Sequence, residues 1–194
     1  MKRITILFVL FIATNVYAQD SCKLNKSTNY PDLYELNTKN IICTAKEQPQ
    51  NKTLLLTFGI WCAPCVYNLY RTLILQKEYK VDIYVVLIEK NVKNNKLILK
   101  SIDYIKRTDS IKTKIAILDS SYTGGQNKRY EKFLTEITPK NIQTEFGMSK
   151  HILINTKGEV EAITDWKDRI EGETWKDDSG TVNRKIIPLL EKKE

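Results

Sequence analysis

Apolar runs of strand length alternate with helical stripes along this chain. Thr53-Leu54-Leu55-Leu56-Thr57-Phe58 and the run from Val81 to Ile88 are continuous, the second rich in β-branched residues, and both read as strands buried on two faces. Between them Val66, Leu69, Tyr70, Leu73 and Ile74 recur at helical spacing, predicting an amphipathic helix over 62–78. Ile98, Ile102 and Ile105 mark a second helix over about 95–107, and Ile115–Leu118 a short strand. A helix over 128–137 stops before Pro139. Two alternating runs, 151–155 and 159–164, flank Thr156-Lys157-Gly158 and predict an antiparallel hairpin. Upstream, Leu33, Tyr34 and Leu36, then Ile41 and Ile42, suggest a hairpin leading into the domain. Residues 166–178 are charged and irregular. Thr181–Leu190 reads as a helix that Pro188 must shorten or kink. Strand–helix–strand–helix followed by a hairpin and a helix predicts an α/β fold, a central mixed sheet with helices on both faces.

The first eighteen residues have the layout of a signal peptide: Lys2 and Arg3, an apolar stretch from Ile4 to Ala13, and Val16-Tyr17-Ala18 as a small-residue cleavage site. The stretch is too short to span a bilayer. Cleavage leaves residues 19–32 as an N-terminal arm and 33–194 as one domain. The expected location is exported and periplasmic; retention through an uncleaved anchor is the weaker alternative. The chain carries a formal net charge of +8. Lys93, Lys96 and Lys100 share one side of a predicted helix but have no interleaved aromatics, so they read as a solvated face and nucleic acid is not an expected partner.

The chemistry concentrates at Trp61-Cys62-Ala63-Pro64-Cys65. Residues three apart on a helix lie about 5 Å from each other, inside the Cα window of a disulfide. At a helix N-terminus Cys62 meets unpaired backbone N–H groups and the positive end of the helix dipole, which favour a thiolate. Cys62 is therefore the candidate attacking thiolate and Cys65 the candidate resolving thiol. Pro64 fits the first turn, which needs no intrahelical donor. Haem attachment is unsuited because Val66 stands where histidine is required. Cys22, Cys43 and the single histidine, His151, match no common zinc spacing, so neither metal nor cofactor is expected.

Four cysteines in an exported chain imply an oxidising compartment. Pairing Cys62 with Cys65 leaves Cys22 and Cys43, read first as a structural bridge. Free or intermolecular thiols, and a relay pair feeding Cys62–Cys65, are the alternatives. His151 is read as an ordinary strand residue, with tuning of the cysteine pair as its alternative role.

The run Leu56-Thr57-Phe58-Gly59-Ile60-Trp61-Cys62-Ala63-Pro64-Cys65 resembles the active-site strand and turn of the thioredoxin superfamily. An additional strand and helix between about 114 and 137, with Phe146-Gly147-Met148 and Ile152–Val160, resembles its exported TlpA-type branch. The resemblance covers about residues 33–164 and implies a thioredoxin-like fold. It also implies a thiol:disulfide oxidoreductase, usually a reductase, in which Cys62 attacks and Cys65 resolves, with Trp61 and Pro64 supporting the motif. Protein disulfides or dithiols would be its substrates and a membrane electron donor its partner. Three departures stand out. Ser149 occupies the slot where the family usually has a cis-proline; a non-proline cis bond costs about 3–4 kcal/mol, so a trans bond is expected there. Asn68 and Leu56 stand where relatives carry an acid, leaving Glu89 as a candidate base for Cys65. The dipeptide is Ala-Pro where thioredoxin commonly has Gly-Pro. A disulfide oxidase or isomerase, or a non-catalytic redox-sensing or binding module, are the competing readings.

Overall fold

The computed structural model describes residues 22–48, 50–109 and 113–192. The signal-like segment 1–18 lies outside them. Six strands form one sheet: β1 (Leu33–Leu36), β2 (Lys52–Phe58), β3 (Val81–Leu87), β4 (Lys114–Leu118), β5 (His151–Ile154) and β6 (Val160–Ile163), in the order β1-β4-β3-β2-β5-β6. The first four run parallel, β5 is antiparallel to β2, and β6 returns antiparallel to β5. This is the mixed, helix-flanked α/β sheet that the sequence predicts, arranged as a thioredoxin-like fold. The strand β4 and the helix that follows it occupy the segment expected to be additional.

Strand alternation divides the core in two. Leu54, Leu56 and Phe58 of β2 and Ile83, Val85 and Leu87 of β3 face one layer of helices: α2 (Ala63–Glu78), α3 (Lys96–Thr108) and the C-terminal pair α5 (Ser179–Lys185) and α6 (Ile187–Glu191). Leu55, Tyr84, Val86, Ala116 and Ile152 face the other layer, α1 (Thr38–Lys46) and α4 (Gln126–Ile137), whose Ile41, Tyr130, Phe133 and Ile137 are buried. Every residue of β2 is buried, as its unbroken apolar run requires.

One local expectation is corrected, and the break expected at Pro188 is located. The segment after β1 is a helix, not the second arm of a hairpin. The Asn37 side chain accepts from the Asn40 backbone N–H and Asn40 answers on the Asn37 N–H, a reciprocal cap that starts α1 and turns Ile41 and Ala45 inward together. The predicted C-terminal helix is split at Ile186: Pro188 lacks the N–H that would continue the ladder, so α5 ends and α6 begins with proline in its first turn.

Candidate active site

Strand β2 ends at Phe58, and the chain reverses through Gly59 into α2. The Cys62 N–H donates to the Gly59 carbonyl at 2.9 Å, closing a tight turn. A β-carbon on Gly59 would lie 2.8 Å from Trp61 Nε1, so only glycine lets the indole fold back over the turn. Cys62 is the N-cap of α2, and its Sγ accepts from the Cys65 N–H at 3.3 Å. Cys62 and Cys65 are joined by a disulfide with their Cα atoms 5.3 Å apart. The two sulfurs differ in access: Cys62 is 6% exposed and lines a cleft, while Cys65 is fully enclosed. An incoming sulfur therefore meets Cys62.

That cleft encloses about 380 Å³. One wall is Trp61, Cys62 and Pro64. A second is the loop Gly147-Met148-Ser149, held down by a 2.6 Å hydrogen bond from the Tyr130 hydroxyl to the Gly147 carbonyl. Ser149 has φ of +62°, and no cis peptide bond occurs among the described residues. The Ser149 hydroxyl is buried and makes no hydrogen bond to a described residue. The third wall is the segment 165–178, with Trp166, Arg169, Trp175 and Asp178. This strap is pinned to α2 by Arg71–Asp177 at 2.5 Å, by the edge of Trp175 against Tyr67 and by the Asp178 N–H on Asn68 Oδ1 at 3.4 Å. All three tryptophans of the chain thus line the cleft that Cys62 lines. A larger hollow of about 760 Å³, between the end of α4 and the 138–146 loop, is lined by no cysteine.

Buried polar groups support the cleft. Glu89, just past β3, is 1% exposed and accepts the Trp61 indole N–H at 2.9 Å. Burial pushes its carboxyl above the usual range, an effect the Trp61 hydrogen bond partly opposes. Its hydrogen bond goes to Trp61 and none goes to a cysteine. Lys150 is buried beneath the loop, its Nζ 3.1 Å from Asp165 Oδ2 and 2.8 Å from Thr144 Oγ1. Although burial acts to raise the Asp165 carboxyl, backbone N–H groups of Glu145 and Lys167 and the Lys150 ammonium hold it below its ordinary value.

His151 faces the same helix layer. It lies opposite Leu56 in the β2–β5 ladder, its Nε2 is 2.8 Å from Thr72 Oγ1 on α2, and its Nδ1 is 3.7 Å from Asp178 Oδ2. Burial lowers its pKa, with Asp178 acting in the opposite direction. His151 therefore ties β5 to α2 and faces the strap. Asn68, one turn beyond Cys65, is 2% exposed and serves the strap as an acceptor.

Cys22 and Cys43 form a second disulfide, with Cα atoms 5.1 Å apart, which fastens the segment before β1 to α1. It sits with α1 on the sheet face opposite α2, so the fold does not bring the two cysteine pairs together. Among the described residues no cluster of three or more His, Cys, Asp or Glu side chains could hold a metal ion, and no helix is long and apolar enough to cross a membrane.

Sequence reasoning missed the strap. Trp166, Arg169, Trp175 and Asp178 belong to a stretch with neither helical nor strand periodicity. The one available signal was that two of three tryptophans fall in it.

No family model and no curated protein matches this chain. Among solved structures, it is similar to a thioredoxin-like protein in the oxidised form, at 13% identity and a TM-score of 0.47, over 79% of this chain and 86% of that one. It is also similar to the pneumococcal exposed lipoprotein thioredoxin of Streptococcus pneumoniae, at 15% identity and a TM-score of 0.41, over 72% and 88% of the two chains. A third likeness is to a protein assigned as a thiol-disulfide oxidoreductase from Bacteroides vulgatus, at 13% identity and a TM-score of 0.42, over 75% and 78%.

Proposed function

We propose that this chain is an exported, TlpA-type thiol:disulfide oxidoreductase that reduces protein disulfides through Cys62 and Cys65. The observation that carries the reading is the asymmetric pair: a disulfide at a helix N-terminus whose first sulfur opens on an aromatic-walled cleft and whose second is enclosed. In the reduced protein the Cys62 thiolate, stabilised by the N-terminus of α2, attacks one sulfur of a substrate disulfide and expels the other as a thiolate. Cys65 then attacks Cys62, and the second substrate sulfur leaves. The substrate gains two electrons and the dithiol becomes the disulfide. A membrane electron donor, reaching the same sulfur, would return the pair to the dithiol. Export is supported by the signal-like segment and by the Cys22–Cys43 bridge.

Trapping tests the reading. Cys65→Ser is expected to accumulate mixed disulfides through Cys62, and Cys62→Ser to accumulate none. If neither variant captures a partner, the exchange reading fails. The reduction potential decides direction: a value near about −270 mV supports the reductase, whereas one near about −120 mV supports an oxidase. A second reading, a redox-sensing or binding module without turnover, is favoured by the left-handed Ser149 in the cleft loop. Such a module would titrate its disulfide yet fail to reduce insulin with a small thiol as donor.

A further inference from the structure

Asp178 lines the cleft together with Cys62 and Asn68, and both its carboxylate oxygens are buried without a hydrogen bond to any described residue. The hydroxyls of Thr181 and Ser149, on the walls of the same cleft, are buried and unbonded too. Native structures leave few buried polar atoms unsatisfied, and those they leave call for a chemical explanation. Four such atoms, on three residues that line one cleft, mark it as a place built for a polar event. The Asp178 backbone reaches Asn68, which follows Cys65 by one turn on the buried stripe of α2 formed by Cys65, Asn68 and Thr72. From β5, His151 Nδ1 faces Asp178 at 3.7 Å; from α2, Arg71 acts at longer range, and Asp177 is its charged neighbour on the strap. Burial, the largest influence, raises the Asp178 carboxyl, while His151 and then Arg71 act to lower it.

Resting on the function proposed above, we infer that Asp178 is the proton carrier of the exchange cycle. Its carboxylate takes the proton that Cys65 must lose, and the resulting carboxyl returns that proton to the thiolate leaving from the substrate. The step balances. The Cys65 S–H bond breaks, with its proton going to Asp178. A bond forms between Cys65 Sγ and Cys62 Sγ while the bond from Cys62 to the substrate sulfur breaks, its electron pair leaving on that sulfur. Asp178 protonates it and is again a carboxylate. Asp178 and Cys62 line the same cleft, the way out for the departing sulfur, and the Asp178 backbone N–H is held by Asn68, one turn beyond Cys65.

A chromogenic aromatic disulfide, dithiobis(nitrobenzoate), separates the two chemical steps in the full chain. The first coloured thiolate reports attack by Cys62. The second reports attack by Cys65, and because this leaving group needs no proton, it isolates deprotonation of Cys65. Asp178→Asn is expected to slow the second phase relative to the first on the order of a hundredfold near neutral pH. Its pH dependence should move to the thiol's own range, and Asp178→Glu should restore much of the native profile. In a Cys62→Ser background, alkylation of Cys65 should reveal a lower thiol pKa once Asp178→Asn removes the neighbouring negative charge. More thiolate together with slower resolution is a pairing that loosened packing does not produce. If Asp178→Asn does not fold, carbon-13 titration of Asp178 in the native chain decides instead. A midpoint that moves between the oxidised and reduced states supports the carrier; an ordinary carboxylate midpoint in both overturns it. Exchange that proceeds with an unaltered second phase in Asp178→Asn overturns this assignment alone. A native chain that exchanges no disulfide at all overturns it together with the reading on which it rests.

Discussion

Glu89, which holds Trp61, and Asp165, which lines the cleft, are both buried carboxylates, and they answer pH in opposite senses. Asp165 is held below its ordinary pKa, so its contribution to stability is present above the unfolded value of about 3.9 and is lost as pH falls through the lower folded value. Glu89 is pushed up, so the folded state holds its proton longer; stability is greatest below the unfolded value of about 4.3 and declines as pH rises through the raised folded value. Urea unfolding across pH should therefore show Glu89→Gln gaining on the native chain as pH climbs through that window. Asp165→Asn should instead lose about 3–5 kcal/mol at neutral pH, because the buried Lys150 ammonium is left without its partner. Ser149 obeys a different constraint. With φ of +62° it sits where a β-carbon is disfavoured by roughly 1–2 kcal/mol. Ser149→Gly should be neutral or stabilising by up to about 1 kcal/mol in the same measurement. Ser149→Pro should disrupt the loop, since proline requires φ near −65°.

At the level of elements, legibility followed periodicity. β2, β3, α2 and α3 were readable because each repeats one spacing long enough to define a buried face. α1 escapes the pattern because Leu33, Tyr34 and Leu36, then Ile41 and Ile42, read as short alternations, while the decisive signal is a single cap, Asn37. The strap was illegible because its side chains are placed by contacts with α2 and β5, which no local pattern encodes. The cysteines of the site were legible as a motif, whereas Asp178 was not, its partner His151 being on a distant strand. The additional element β4–α4 is secured by one side chain. Arg129, 3% exposed, donates to the carbonyls of Tyr122 and Leu118 at 2.7 Å, Glu89 at 3.0 Å and Asp119 at 3.2 Å. Arg129→Ala leaves those carbonyls without their charged donor and is expected to cost about 3 kcal/mol or more by urea unfolding. The Cys22–Cys43 bridge closes a loop of sequence separation 21. Its double serine variant should lose roughly 3 kcal/mol while still trapping partners through Cys62 in the Cys65→Ser background.

Across the whole molecule, the sheet and the strap together turn an exposed turn into a recess. Trp166 and Trp175, 56% and 41% exposed, offer apolar surface beside a sulfur, which suits a chain segment better than a small disulfide. Trp166→Ala with Trp175→Ala should raise KM for a protein disulfide several-fold in a steady-state assay while altering the rate with oxidised glutathione little. The two disulfides lie on opposite faces of the sheet, so electrons have no covalent route through the protein from one to the other. On the proposed function, whatever charges Cys62–Cys65 must use the doorway that the substrate uses. Donor and acceptor then take turns and cannot be seated together, which fixes the order of events before any rate is known. Initial velocities plotted reciprocally against one at several concentrations of the other should give parallel lines, and an excess of either should obstruct its counterpart.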